Sequence, residues 1–165
     1  DPKIFLFLDD IRDNTNANLG YFFSGNQLTR SSVPLSNEKE ILFLDIHRFY
    51  QDRNSIMGTM AHEFSHMVMF NEAYTVENGV LKGLEKWLEE GITTFIEFVY
   101  SGKYSPNLDM FMMNPDTILV EDRNTVWNGT NPFANYGASF LWTYYEKLFH
   151  ISFMHNDEYI FNYKR

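Results

Sequence analysis

The chain has 165 residues, 44% of them hydrophobic and 18% aromatic, with a formal net charge of -9. Its length supplies one domain or a compact pair of subdomains, and its acidic balance argues against nucleic-acid binding, which needs a basic face. With no cysteine the chain forms no disulfide and its redox compartment is left open; no apolar run is long enough for a membrane span.

In chain order, residues 3–9 read as a buried strand and residues 10–20 as an asparagine-rich loop. A second strand over 21–28, at a sheet edge, precedes a loop over 29–39 that contains Pro34. Ile41-Leu42-Phe43-Leu44 is short and β-capable, which predicts a third strand over 40–46. A helix is expected over 54–70, with Asn54 or Ser55 as its cap. Residues 71–83 read as a loop around the Asn78-Gly79 turn signal, and a second helix over 80–101 overlaps its end. Three of the five prolines fall in 102–133, which reads as irregular with short helical turns, before a third helix over 134–150. Strands first and helices after give an α+β class: a small twisted N-terminal sheet, two consecutive long helices and a smaller helical part. We expect one domain over 1–165, divided into 1–101 and a helical subdomain over 102–165. The start at Asp1-Pro2, without methionine, reads as an excised domain or mature fragment with its targeting signal removed.

The first long helix carries His62-Glu63-Phe64-Ser65-His66, the H-E-x-x-H pattern. Positions i and i+4 lie one above the other on a helix, so both imidazoles reach one metal ion. Glu63 projects beside them, where it can touch a water on that metal. Two nitrogen ligands, an open position and an adjacent carboxylate are what zinc-assisted hydrolysis requires. Chance placement on an amphipathic helix gives the same five residues, so context matters. Met57, Met60, Ala61, Phe64, Met67 and Val68 recur at spacings of three and four, which makes the helix largely buried. Buried imidazoles need partners.

A second motif, Trp87-Leu88-Glu89-Glu90-Gly91, follows. Here the chain resembles the gluzincin metallopeptidases. Trp-Leu-x-Glu-Gly is the form their glutamate-ligand element takes in the aminopeptidase-N and hyicolysin families. The resemblance implies a zincin-like fold, zinc as cofactor and Glu90 as third ligand with His62 and His66. It also implies that Glu97 accepts the spare N–H of a zinc histidine. Periodicity agrees in part, since Glu90, Thr94 and Glu97 form one polar stripe on a helix. Glu89 is rotated by about 100° from Glu90 and is expected to face water. Gly91 is expected to let this helix approach the histidine helix closely.

Twenty-three residues separate His66 from Glu90, more than in the thermolysin and aminopeptidase-N groups, so the hyicolysin type is the nearer match. The resemblance covers mainly residues 40–100 and weakly 134–148. Thermolysin-like enzymes carry an aspartate where this chain has Thr94. The amine-binding Gly-x-Met-Glu-Asn segment of the aminopeptidases is absent upstream, which favours an endopeptidase. Metzincins require a glycine and a histidine where Met69 and Glu72 stand, and peptide deformylase requires a cysteine ligand.

The expected function is therefore a zinc metallopeptidase that hydrolyses peptide bonds, with Glu63 as general base on the zinc-bound water. Tyr136, at the head of the third helix, is the candidate oxyanion donor because related families place a tyrosine there; His150 is the alternative. Asp52 and Glu72 either orient the histidines or are solvated, and Met110, Met112 and Met113 either line a pocket or pack a core. His47 and His155 read as ordinary polar residues. Asn128-Gly129-Thr130 fits a glycosylation acceptor. Substrates would be peptides or proteins, without nucleic acid or a membrane span, and the location secreted or cell-envelope. The competing reading is an inactive, zinc-stabilised module that binds peptides or proteins.

Overall fold

The structure is a computed structural model and describes residues 3–11, 19–77, 80–113, 115–116 and 136–145. Strands β1 (Phe5–Asp9), β2 (Gly20–Phe22) and β3 (Ile41–Asp45) form one sheet in the order β1-β3-β2. β1 runs parallel to β3, with Phe7 opposite Phe43; β2 runs antiparallel, with Tyr21 opposite Phe43. Alternation along β3 buries Leu42 and Leu44 together, as a period of two requires. β1, expected to be buried, is exposed along its length because it is an outer strand of the sheet, and β2 is shorter than expected. Ser24-Gly25-Asn26 breaks it into a 3-10 turn, which is anchored when the Asn26 carbonyl accepts from the Ser36 hydroxyl and the Lys39 N–H.

A short helix not expected from the sequence, α1 (Ile46–Gln51), follows β3 directly. The long helix α2 (Arg53–Ala73) then begins slightly earlier than expected. Its cap is Asp52, which accepts from the Asn54 and Ser55 N–H groups, the exchange that satisfies orphan donors at a helix start. α2 lies on the sheet, and Ile56 and Met67 join Leu42 and Leu44 in the core; the helix is less buried than expected, because Met57, Phe64 and Val68 lie on a face that is exposed.

The stretch expected as a loop is instead the last turn of α2 and an antiparallel hairpin of β4 (Thr75–Glu77) and β5 (Val80–Lys82). β-branched residues stand near Asn78-Gly79 on both sides, the pattern that favours a tight hairpin. α3 (Lys86–Ser101) therefore starts later than residue 80. α4 (Pro106–Met113) is a short helix within the region read as irregular. α5 spans 136–145, inside the expected third helix. No helix among the described residues is long and apolar enough to cross a membrane.

Glycines set the helix spacing around the site. A Cβ at Gly58 of α2 would lie 2.8 Å from the Ser101 Cβ and 3.2 Å from the Glu97 Cγ of α3. Gly58 thus permits the close α2–α3 approach that was expected of Gly91. A Cβ at Gly91 would instead overlap Ser139 of α5. Gly91 admits α5, whose Ser139 hydroxyl donates to the Trp87 carbonyl.

Candidate metal centre

α2 and α3 run antiparallel: Gly58 faces Ser101, His62 meets Glu97, and His66 meets Glu89 and Glu90. This crossing brings two histidines and three glutamates, Glu63, Glu89 and Glu90, to one cleft, with Glu97 behind His62. His62 Nε2 and His66 Nε2 are 3.2 Å apart. Glu90 Oε2 lies 3.7 Å from the first and 3.9 Å from the second. A circle through the corners of a triangle with those sides has a radius of about 2.1 Å, the length of a zinc–nitrogen or zinc–carboxylate bond. The two-imidazole, one-carboxylate donor set thus fits a four-coordinate ion with one position left for solvent or substrate. The three side chains are 17%, 15% and 17% exposed, shielded yet open on one side.

The far nitrogens of both rings face carboxylates. His62 Nδ1 is 3.2 Å from Glu97 Oε2, and His66 Nδ1 is 2.8 Å from Glu89 Oε1. Donation of Nδ1–H to each carboxylate leaves the Nε2 lone pairs aimed at the convergence point. Burial opposes protonation of His62, but the Glu97 hydrogen bond and the charges of Glu63, Glu97 and Glu90 outweigh it and raise its pKa. Cation-stabilising surroundings of this kind suit a bound metal ion as well as a proton.

Glu63 is not one of the three convergent donors. Its Oε2 accepts the Phe22 N–H at 2.8 Å, which ties it to the outer edge of β2. Burial raises its pKa, against the opposing pull of His62, His66 and that N–H.

The cleft has a volume of about 500 Å³. His62, Glu63, His66 and Glu90 line it together with Phe22 and Phe23 from the sheet side and Phe70 and Tyr74 from the end of α2. The helical-wheel reading of Glu89 is corrected. It is 14% exposed and accepts from both His66 and the Tyr74 hydroxyl. With Glu97 at His62, an antiparallel partner places the start of α3 at His66, so register rather than the wheel of one helix was the signal for Glu89. Tyr74 had no signal, because it sits at the start of the unforeseen hairpin.

Other candidates stand apart. Tyr136 heads α5 and is not among the residues that line the cleft. Asp52 caps α2 and pairs with Lys103, and Glu72 is exposed, so neither orients a histidine. His47 lies 3.6 Å from Asp10. Met110, Met112 and Met113 belong to α4, outside the cleft lining. Thr94 is buried. His150, His155 and Asn128-Gly129-Thr130 lie outside the described residues.

A helix-borne H-E-x-x-H facing a glutamate on the next long helix, behind a small mixed sheet, defines the metallopeptidase class. Within it, the peptidase M30 family model matches residues 4–113, and the chain belongs to that family. The match takes in residues 4–39, beyond the reach of the motif resemblance. The chain is similar to the neutral metalloprotease ShpI of Staphylococcus hyicus, at 27% identity over 155 residues. That stretch is 88% of this chain and 35% of the relative, so the chain spans about a third of that protein's length. The family implies a metal cofactor, and His62, His66 and Glu90 form a group able to hold one.

Proposed function

We propose that the chain is the catalytic domain of a zinc endopeptidase, with His62, His66 and Glu90 as ligands and Glu63 as general base. The observation that carries this reading is the convergence of three donor atoms beside a half-buried carboxylate, that of Glu63, which is not one of them. Zinc in this set supplies a Lewis acid that lowers the pKa of water to about 7 and polarises a carbonyl. Glu63 takes a proton from the attacking water and delivers it to the leaving amine. Glu97 and Glu89 hold the ring N–H groups. Phe22 and Phe23, at the end of β2, line the cleft, and an extended peptide would add along the sheet there through backbone groups other than the Phe22 N–H, which Glu63 holds.

Tyr136 is proposed as the oxyanion donor on its sequence context alone, since it heads α5 and does not line the cleft. Tyr136→Phe removes only the hydroxyl, and a loss of about 10²-fold or more in kcat with intact zinc binding supports the role. The domain is proposed to span 1–165, and an exported location suits a chain free of cysteine. An inactive binding module has no use for Glu63, whose burial is costly and which sits outside the donor set.

Digestion of casein with and without a chelator tests the function. We expect hydrolysis that stops on chelation and returns with zinc. Activity indifferent to chelation, or retained in Glu63→Gln, overturns the proposal.

A further inference from the structure

We propose that Tyr74 and Glu89 act as a positioning pair that fixes the His66 ring for metal binding, with the β4–β5 hairpin as their seat. The inference rests on the metal-centre reading above and assigns its support to residues that neither motif contains as ligands.

Glu89 uses both oxygens. Oε1 lies 2.8 Å from His66 Nδ1, and Oε2 accepts the Tyr74 hydroxyl at 2.8 Å. A carboxylate held at both oxygens cannot rotate away from the ring it supports. Its counterpart at His62 is looser: Glu97 sits at 3.2 Å and is 31% exposed, against 14% for Glu89. The tighter arrangement therefore belongs to His66. A carboxylate behind a ligating imidazole fixes its tautomer and raises its basicity.

Tyr74 is itself clamped. It is the residue that ends α2, in extended conformation. The Phe70 ring packs against it at 5.3 Å between centroids. Gly83, just after β5, lies so close that a Cβ there would overlap the Tyr74 ring. The hairpin returns the chain against the tyrosine and then leads into α3, which carries Glu89. The long spacing between the two motifs thereby gains a purpose, because it closes a hydroxyl–carboxylate–imidazole chain that ends at the metal position.

The test is equilibrium competition for zinc between the purified chain and a chromophoric chelator, joined to NMR of the histidine rings in the zinc-loaded protein. The wild type should bind one zinc and show a slowly exchanging His66 Nδ1–H proton. Glu89→Ala should weaken zinc binding by about 10–100-fold and abolish that resonance. Glu89→Gln keeps an acceptor oxygen and should retain the resonance and most of the affinity. Tyr74→Phe should weaken binding several-fold in the wild-type background and add nothing to Glu89→Ala, because coupled members of one chain are not additive. Should Glu89→Ala fail to fold, Glu89→Gln and Tyr74→Phe still carry the test. Wild-type zinc affinity in Tyr74→Phe and Glu89→Ala, or strictly additive losses in the double variant, overturns the positioning role alone. Failure of the wild type to take up zinc overturns the metal centre and this inference with it.

Discussion

The Phe22 backbone N–H donates to the Glu63 carboxylate at 2.8 Å, so the edge strand of the sheet holds the proposed general base. One oxygen of Glu63 is committed to β2, and the other is left to work over the cleft. Glu63→Gln can keep this hydrogen bond through its amide oxygen but cannot accept a proton. We expect peptidase activity to fall by about 10²–10⁴-fold while zinc content, measured by mass spectrometry, stays at one per chain. Loss of both together would mean that Glu63 holds the site rather than the reaction.

Zinc should stabilise the fold, because the three donors come from two helices that must be packed before they meet. Binding to the native state alone contributes about 4 kcal/mol when free zinc is about 1,000 times its dissociation constant. Thermal unfolding with zinc, with chelator, and for His62→Ala in both conditions checks this. The expected outcome is a midpoint that rises with zinc in the wild type and does not move in His62→Ala.

Gly58 and Gly91 should be intolerant of side chains, each at its own interface. Gly58→Val forces α2 from α3 and should cost about 1–3 kcal/mol by overpacking, with weakened zinc binding as Glu97 moves off His62. Gly91→Ala strikes the Ser139 hydroxyl and also its backbone carbonyl, whose atoms stand 2.7 Å from the new Cβ. Ser139→Gly should therefore fail to rescue Gly91→Ala. Urea unfolding of the single and double variants measures both effects.

The Asp52–Lys103 pair gives a pH-dependent stability. The Lys103 hydrogen bond, followed by those from Ser55, holds the Asp52 carboxyl well below its ordinary value of 3.8. Such a group favours the folded state above its unfolded pKa, and the contribution fades as pH falls through and below that value. Lys103→Met should lower the unfolding midpoint only slightly at neutral pH, because an exposed pair is screened by solvent. The gap to the wild type should hold down to about pH 5 and narrow below about pH 4. A gap that widens on acidification would reverse the assignment.

The metal-centre candidates were legible because they are local: His62, Glu63 and His66 lie within little more than one helix turn, and Glu90 sits in a compact motif. The three strands were legible from short apolar runs, although Gly25 and Asn26 end β2 sooner than its hydrophobicity implied. What escaped was relational. The partner of Glu89 is not legible because the wheel of α3 alone does not reveal that α2 crosses it antiparallel. Gly91 was matched to the wrong neighbour because closeness to α5 depends on a helix distant in sequence. The hairpin at 75–82 escaped because its strands are three residues each, too short for alternation to register.

The sheet's far margin has a different character from the one that holds Glu63. β1 occupies that outer position, and Phe5, Leu6, Phe7 and Leu8 are all more than a third exposed. Among the described residues no strand pairs with the outer side of β1, and a margin without a partner is a template on which like chains add. Purified alone and concentrated, the chain should self-associate through this strand, and a lysine in place of Phe7 should keep it monodisperse.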